Sequence, residues 1–95
     1  FHNTYGMAIA NIYQSLEHAL GVFDSSIAGL GGCPYAKGAS GNVSTEDLYY
    51  LLSNMGYDTG IDLDALMIAS QNISQVLQRT NPSNYANAYW QKRCA

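Results

Sequence analysis

From Met7 to Leu20, apolar side chains fall at Ile9, Ile12, Tyr13, Leu16, Ala19 and Leu20. This spacing lines one face of a 3.6-residue repeat and predicts an amphipathic helix, with Gly21 as its stop. Val22-Phe-Asp-Ser-Ser-Ile-Ala-Gly29 is too short for another helix and is bounded by glycines, so it reads as a buried strand. Asp24, Ser25 and Ser26 sit in its middle and are costly to bury without hydrogen bonds, which places the end of this strand near a site. Between Gly29 and Asn42 the periodicity vanishes. That stretch holds five of the nine glycines (29, 31, 32, 38 and 41) and one of the two prolines, and it predicts a long loop.

Helical spacing then resumes. Ser44 has the chemistry of an N-cap, Glu46 and Asp47 place acids in the first turn, and Leu48, Leu51, Leu52 and Met55 form an inner face that Gly56 closes. After a turn at Tyr57-Asp-Thr-Gly60, Asp62 caps a third helix. Its face carries Leu63, Leu66, Met67, Ser70, Ile73 and Leu77, and Asn81-Pro82 ends it. Ser83 to Ala95, with Tyr85, Ala88 and Tyr89, predicts only a short and weakly specified helix. A strand end at Phe1–Gly6, a helix and a second strand make a βαβ unit, the builder of parallel sheets. Two such strands cannot form a sheet covered on both faces. The expected fold is therefore α/β, a single domain over 1–95 that is incomplete by itself.

Composition agrees with one small domain, since the chain has 95 residues. At 47% apolar and 12% charged residues, it is too apolar for disorder and poorer in charge than usual globular domains. Either some apolar surface faces other protein, or Asn, Ser, Gln and Tyr supply the missing polarity. A net charge of −3 with four basic residues argues against a nucleic-acid partner. No apolar run reaches the roughly 20 residues of a membrane span. Cys33 and Cys94 are too few for a disulfide framework and read as free thiols. The chain begins at Phe1 without Met, so a processing event or a cut from something longer is expected to set that end.

Four residues stand out chemically. His2, in His2-Asn-Thr-Tyr-Gly6, lies in a loop before a helix, where barrel enzymes place their ligands; a surface or capping histidine is the plain alternative. Cys33 lies between Gly32 and Pro34, and a thiol on such a loop can act as acid, base or nucleophile. An unremarkable loop cysteine fits equally well. The side-chain oxygen of Asn42 suits a hard divalent cation, though Gly-Asn also shapes turns. Glu46 is a helix-start acid close enough to the loop to serve the same site. The glycines match neither a dinucleotide fingerprint nor a P-loop, and tyrosines 49, 50, 85 and 89 read as packing residues.

Taken together, His2-Asn-Thr-Tyr-Gly6, Asp24-Ser-Ser-Ile-Ala-Gly-Leu-Gly-Gly-Cys-Pro-Tyr-Ala36, Gly38-Ala-Ser-Gly-Asn42 and Thr45-Glu-Asp-Leu48 closely resemble the 3-hydroxy-3-methylglutaryl-CoA lyase family. The resemblance runs from Phe1 to about Arg79, and its Gly-Gly-Cys-Pro-Tyr-Ala core is specific to that family. It implies the C-terminal part of a TIM (β/α)8 barrel: the last two strands (Phe1–Gly6 and Val22–Leu30), the closing helices and an extension over 80–95. It implies a metal-dependent lyase that cleaves a CoA-thioester substrate to acetyl-CoA and acetoacetate with Mg2+ or Mn2+. His2 and Asn42 are then metal ligands, Cys33 the catalytic thiol and Glu46 an acidic residue supporting catalysis.

Asn3 stands where the family has Asp, which removes a charge beside the ligand histidine. The remaining ligands and an enolate-stabilising arginine would precede Phe1, so the chain alone is expected to be inactive. The residues around Cys94 do not match the second thiol found near the C-terminus in this family, and it reads as an exposed tail cysteine. A homo-oligomer of the full-length enzyme is expected, in the bacterial cytoplasm or the mitochondrial matrix. A related aldol or Claisen enzyme of the isopropylmalate or homocitrate synthase type is the second enzymatic reading, and the Gly-Gly-Cys-Pro loop speaks against it. A non-catalytic binding or oligomerisation module is the alternative outside enzymes.

Overall fold

A computed structural model describes residues 1–31 and 41–94. Cys33, together with residues 32–40, lies outside them. Among the described residues four α-helices dominate: α1 (Ala8–Leu16), α2 (Thr45–Asn54), α3 (Leu63–Val76) and α4 (Asn84–Cys94). Short 3-10 turns stand at Thr4–Gly6 and Ile27–Gly29.

Capping chemistry decides where the middle helices begin. The Ser44 hydroxyl accepts from Asp47 N at 3.2 Å, and Asp62 Oδ1 accepts from Ala65 N at 3.2 Å. Gly56, at φ 89°, ends α2: its N–H bonds Ser53 O while the Tyr57 N–H reaches Leu52 O. Helix α3 stops at Val76, well before Asn81-Pro82. The same paired bonds recur there, from Gln78 N to Gln75 O and from Arg79 N to Ser74 O, with Gln78 in the left-handed conformation at φ 52°. Helix α1 is likewise shorter than its periodicity predicts. Ala19, not Gly21, takes the positive φ of 61° after it.

The segment Val22–Gly29 departs from the strand expected of it. Val22 is 89% exposed, Ser26 makes a single parallel bridge to Ser44, and Ile27–Gly29 closes a 3-10 turn. Ser26 gives its N–H to Val43 O and its C=O to Thr45 N, both at 3.0 Å. The ladder goes no further because Ile27–Gly29 turns away immediately after it. Phe1–Asn3 likewise forms a single antiparallel bridge, His2 to Asn42. Among the described residues there is no strand, and the expected parallel pair is not a ladder here.

Two apolar clusters flank α2. Ala8, Ile12, Val43 and Leu48 are buried together, with Ile9, Phe23, Leu51 and Leu52 against them. Met67, Ala86 and Tyr89 form the other, with Leu63, Tyr85 and Trp90. Leu77, read as part of the inner face of α3, is 49% exposed because α3 ends before it. Helix α4 is longer than expected, and its anchors are polar. Asp47 Oδ1 accepts from the Ser83 hydroxyl at 2.8 Å and from Tyr85 N at 3.0 Å, while Ser83 Oγ accepts from Ala86 N. No helix among the described residues is long and apolar enough to cross a membrane.

Gln78→Gly should stabilise the protein by up to about 1 kcal/mol, because glycine takes a positive φ without the steric cost of a Cβ; urea denaturation checks this. Tyr89 makes the stability depend on pH. Its hydroxyl donates to Asp64 Oδ1 at 2.6 Å, and this bond, with burial second, raises its pKa above the usual value of 10.0. The folded state thus holds the phenolic proton more tightly than the unfolded chain. That contribution is intact below the unfolded pKa and is lost as pH rises through the folded one. Urea midpoints measured from about pH 9 to 12 should fall with pH, and less steeply in Tyr89→Phe.

Candidate functional site

The site is built where three pieces of backbone meet: Phe1–Asn3, Ser26–Gly31 and Gly41–Thr45. Asn3 N donates to Gly41 O at 3.1 Å and Val43 N to Phe1 O at 3.0 Å. These bonds flank the His2–Asn42 bridge, making it a non-hydrogen-bonded antiparallel pair. In such a pair the Cα atoms lie about 4.5 Å apart and the side chains share a face. Val43 points the other way and is 1% exposed, packed with Ala8, Ile12 and Leu48. Burial of Val43 therefore fixes which way Asn42 faces. The structure brings His2 and Asn42 side by side.

The Asn42 amide is further constrained. Its Nδ2 donates to Leu30 O at 3.0 Å, which leaves Oδ1 as an acceptor. The approach requires glycine at the roots of the loop. A Cβ at Gly41 would sit 1.8 Å from Gly29 O, and one at Gly31, where φ is 102°, would sit 2.5 Å from Asn42 Nδ2. Gly29 also needs its positive φ of 65°. These contacts bring residues 29–31 and 41–42, the two ends of the glycine loop, against one another.

Glu46 is placed differently from an ordinary helix-start acid. It is 0% exposed. Its two oxygens accept from Ala28 N at 3.0 and 3.2 Å. Oε2 also accepts from the Ser70 hydroxyl at 2.5 Å and from Asn81 Nδ2 at 3.3 Å. Ala28 is itself buried in the left-handed conformation, at φ 54° and ψ 21°, which costs a non-glycine residue about 1–2 kcal/mol. The Glu46 carboxyl offsets that cost by satisfying an N–H that faces no water. Ser25 Oγ and Thr45 Oγ1, 2.7 Å apart, complete the contacts behind the site.

Of the four residues singled out from sequence, His2 and Asn42 are adjacent, and Glu46 is a buried strut under the turn that Asn42 bonds. Cys33 lies outside the described residues. Sequence reasoning missed Ala28, Ser70 and Asn81. For Ser70 a signal existed, a hydroxyl on the apolar face of α3, and it needed a buried partner to be interpreted. The donors present, an exposed imidazole and an amide oxygen, are of the kinds that a six-coordinate divalent cation accepts. Among the described residues no three His, Cys, Asp or Glu side chains converge as a metal cage.

The HMGL-like family model matches residues 1–73. A Pseudomonas aeruginosa protein named 3-hydroxy-3-isohexenylglutaryl-CoA/hydroxy-methylglutaryl-CoA lyase is 58% identical over 93% of this chain and 29% of its own length. The crystal structure of a hydroxymethylglutaryl-CoA lyase from the same organism superposes with a TM-score of 0.90 at 56% identity, covering 97% of this chain and 31% of that one. A lyase structure from Acinetobacter baumannii in complex with coenzyme A and 3-methylmalate gives a TM-score of 0.85 at 44% identity, over 93% and 29%. The chain thus spans under a third of the relatives it matches. Other relatives are named as mitochondrial and as cytoplasmic lyases.

Gly41→Ala should destabilise the protein by about 2 kcal/mol or more, through overlap that only backbone movement relieves. Ala28→Gly should be neutral or stabilising by up to about 1 kcal/mol, because it removes the left-handed strain. Chemical denaturation of the two variants checks the opposite signs.

Proposed function

Because this chain belongs to the HMGL-like family, we propose that it forms the C-terminal part of a divalent-metal-dependent lyase that cleaves 3-hydroxy-3-methylglutaryl-CoA to acetyl-CoA and acetoacetate. The observation that carries this reading is the His2–Asn42 pairing at the roots of the glycine loop, together with lyase relatives along almost the whole chain. On this reading Phe1–Asn3 and Val22–Ser26 are the ends of two strands of a (β/α)8 barrel, whose neighbours complete their pairing.

The reaction removes the proton of the 3-hydroxyl and breaks the adjacent C–C bond. One product is acetoacetate, and the other is the enolate of acetyl-CoA, which must take up a proton. His2 and Asn42 would hold Mg2+ or Mn2+, with Asn42 using the oxygen left free by its bond to Leu30 O. When bound, such a cation supplies Lewis-acid polarisation of substrate oxygens. Cys33 is the proton donor to the enolate carbon in this reading. Glu46 serves by holding Ala28 and the turn after it, and is a positioning residue here.

A CoA thioester as substrate is supported by the coenzyme A complex of the Acinetobacter relative. The name of the Pseudomonas relative favours a second, bulkier substrate, the isohexenyl homologue. Assembly into a homo-oligomer of the full-length enzyme belongs to the same reading. Relatives named from bacteria and from mitochondria support a bacterial cytoplasm or a mitochondrial matrix as its setting.

In the full-length protein carrying this chain, cleavage of 3-hydroxy-3-methylglutaryl-CoA should require added Mg2+ or Mn2+. Cys33→Ala should lower kcat by about 10²-fold or more, as expected for loss of a positioned proton donor. The 95-residue chain alone should show no cleavage above background. Metal-independent turnover, or turnover by the isolated chain at enzymatic rates, would overturn the reading.

A further inference from the structure

Ser70 is wholly buried on α3, at a position where an apolar residue would pack without needing a partner. Its hydroxyl donates to Glu46 Oε2 at 2.5 Å, and Asn81 Nδ2 lies 2.6 Å from the same hydroxyl and 3.3 Å from the carboxyl oxygen. Asn81 is fixed in turn. Its Oδ1 accepts from Ser83 N at 2.9 Å and its carbonyl from Asn87 Nδ2 at 3.0 Å, both at the start of α4. Two donors from different elements thus set the rotation of one carboxyl group, and that group holds the Ala28 N–H.

The consequence runs along the backbone. With Ala28 locked at φ 54°, the turn closes through Gly29 N to Ser26 O at 3.0 Å and Leu30 N to Ile27 O at 3.1 Å. This aims the Leu30 carbonyl at Asn42 Nδ2. The direction of the free Asn42 oxygen therefore depends on Leu30 O, on the turn, on Glu46 and finally on Ser70 and Asn81. We infer that Ser70 and Asn81 are positioning residues for the amide oxygen of Asn42, acting through the Glu46 carboxyl and the left-handed turn at Ala28. The inference rests on the metal-binding reading of His2 and Asn42 proposed above.

Mn2+ titration of the full-length protein, followed by electron paramagnetic resonance and paired with thermal melting, separates the possibilities. Asn42→Ala should weaken Mn2+ binding by tenfold or more. Ser70→Ala and Asn81→Ala should each weaken it by up to about tenfold, the usual scale for groups that orient a ligand, and Ser70→Thr should restore it. Should Asn81→Ala fail to fold, Ser70→Ala, which deletes one oxygen, decides the matter with its threonine rescue. If Ser70→Ala lowers the melting temperature but leaves Mn2+ affinity within twofold while Asn42→Ala weakens it, the positioning role is overturned and the metal reading stands. Unchanged affinity in Asn42→Ala overturns both.

Discussion

The buried carboxyl of Glu46 is the constraint on which the rest of the molecule leans. It is 0% exposed, and among the described residues no cation pairs with it. Its hydrogen-bond partners must therefore come from the protein, and they come from the turn at Ala28, from α3 and from the connection before α4. Removing one such partner leaves a polar atom stranded in the interior, at a cost of about 1–3 kcal/mol. The elements that meet at Glu46 are therefore held in register by polar satisfaction, while the apolar clusters on either side of α2 supply the bulk of the attraction.

The first turn of α2 divides this work among neighbouring residues. Ser44 caps the helix, Thr45 meets Ser25, Glu46 holds the turn at Ala28, and Asp47 anchors the start of α4. Immediately upstream, Val43 is buried and Asn42 pairs with His2. Six consecutive residues thus connect nearly every other part of the chain. The candidate ligands are positioned by this short stretch, and the glycine loop leaves and returns through its edge.

Much of this was legible in the sequence where the chemistry is local. Ser44 and Asp62 announced their helices because an N-cap needs only an oxygen and a turn of backbone. Gly56 marked the end of α2 for an equally local reason. The ends of α1 and α3 were hidden because Ala19 and Gln78, not glycines, take the left-handed conformation. Val22–Gly29 has the composition of a strand, but pairing depends on neighbours that a sequence window does not contain. For the site, Cys33, His2, Asn42 and Glu46 were singled out by residue type and resemblance. Ala28 and Asn81 were invisible, and Ser70 stood out only as a hydroxyl on an apolar face, because their roles arise from contacts across 18, 35 and 24 residues.

Those separations carry a consequence for how the chain folds. Helices α2 and α3 and the caps at their ends can form early, since their bonds span only a few residues. The Glu46 network cannot, because closing loops of 24 and 35 residues must precede its last two bonds. Until then the carboxyl has every reason to stay in water, and the turn at Ala28 has nothing to hold it in its left-handed state. The geometry around Asn42 is thus a late product of folding. Partly collapsed chains would have their helices in place while still lacking the site.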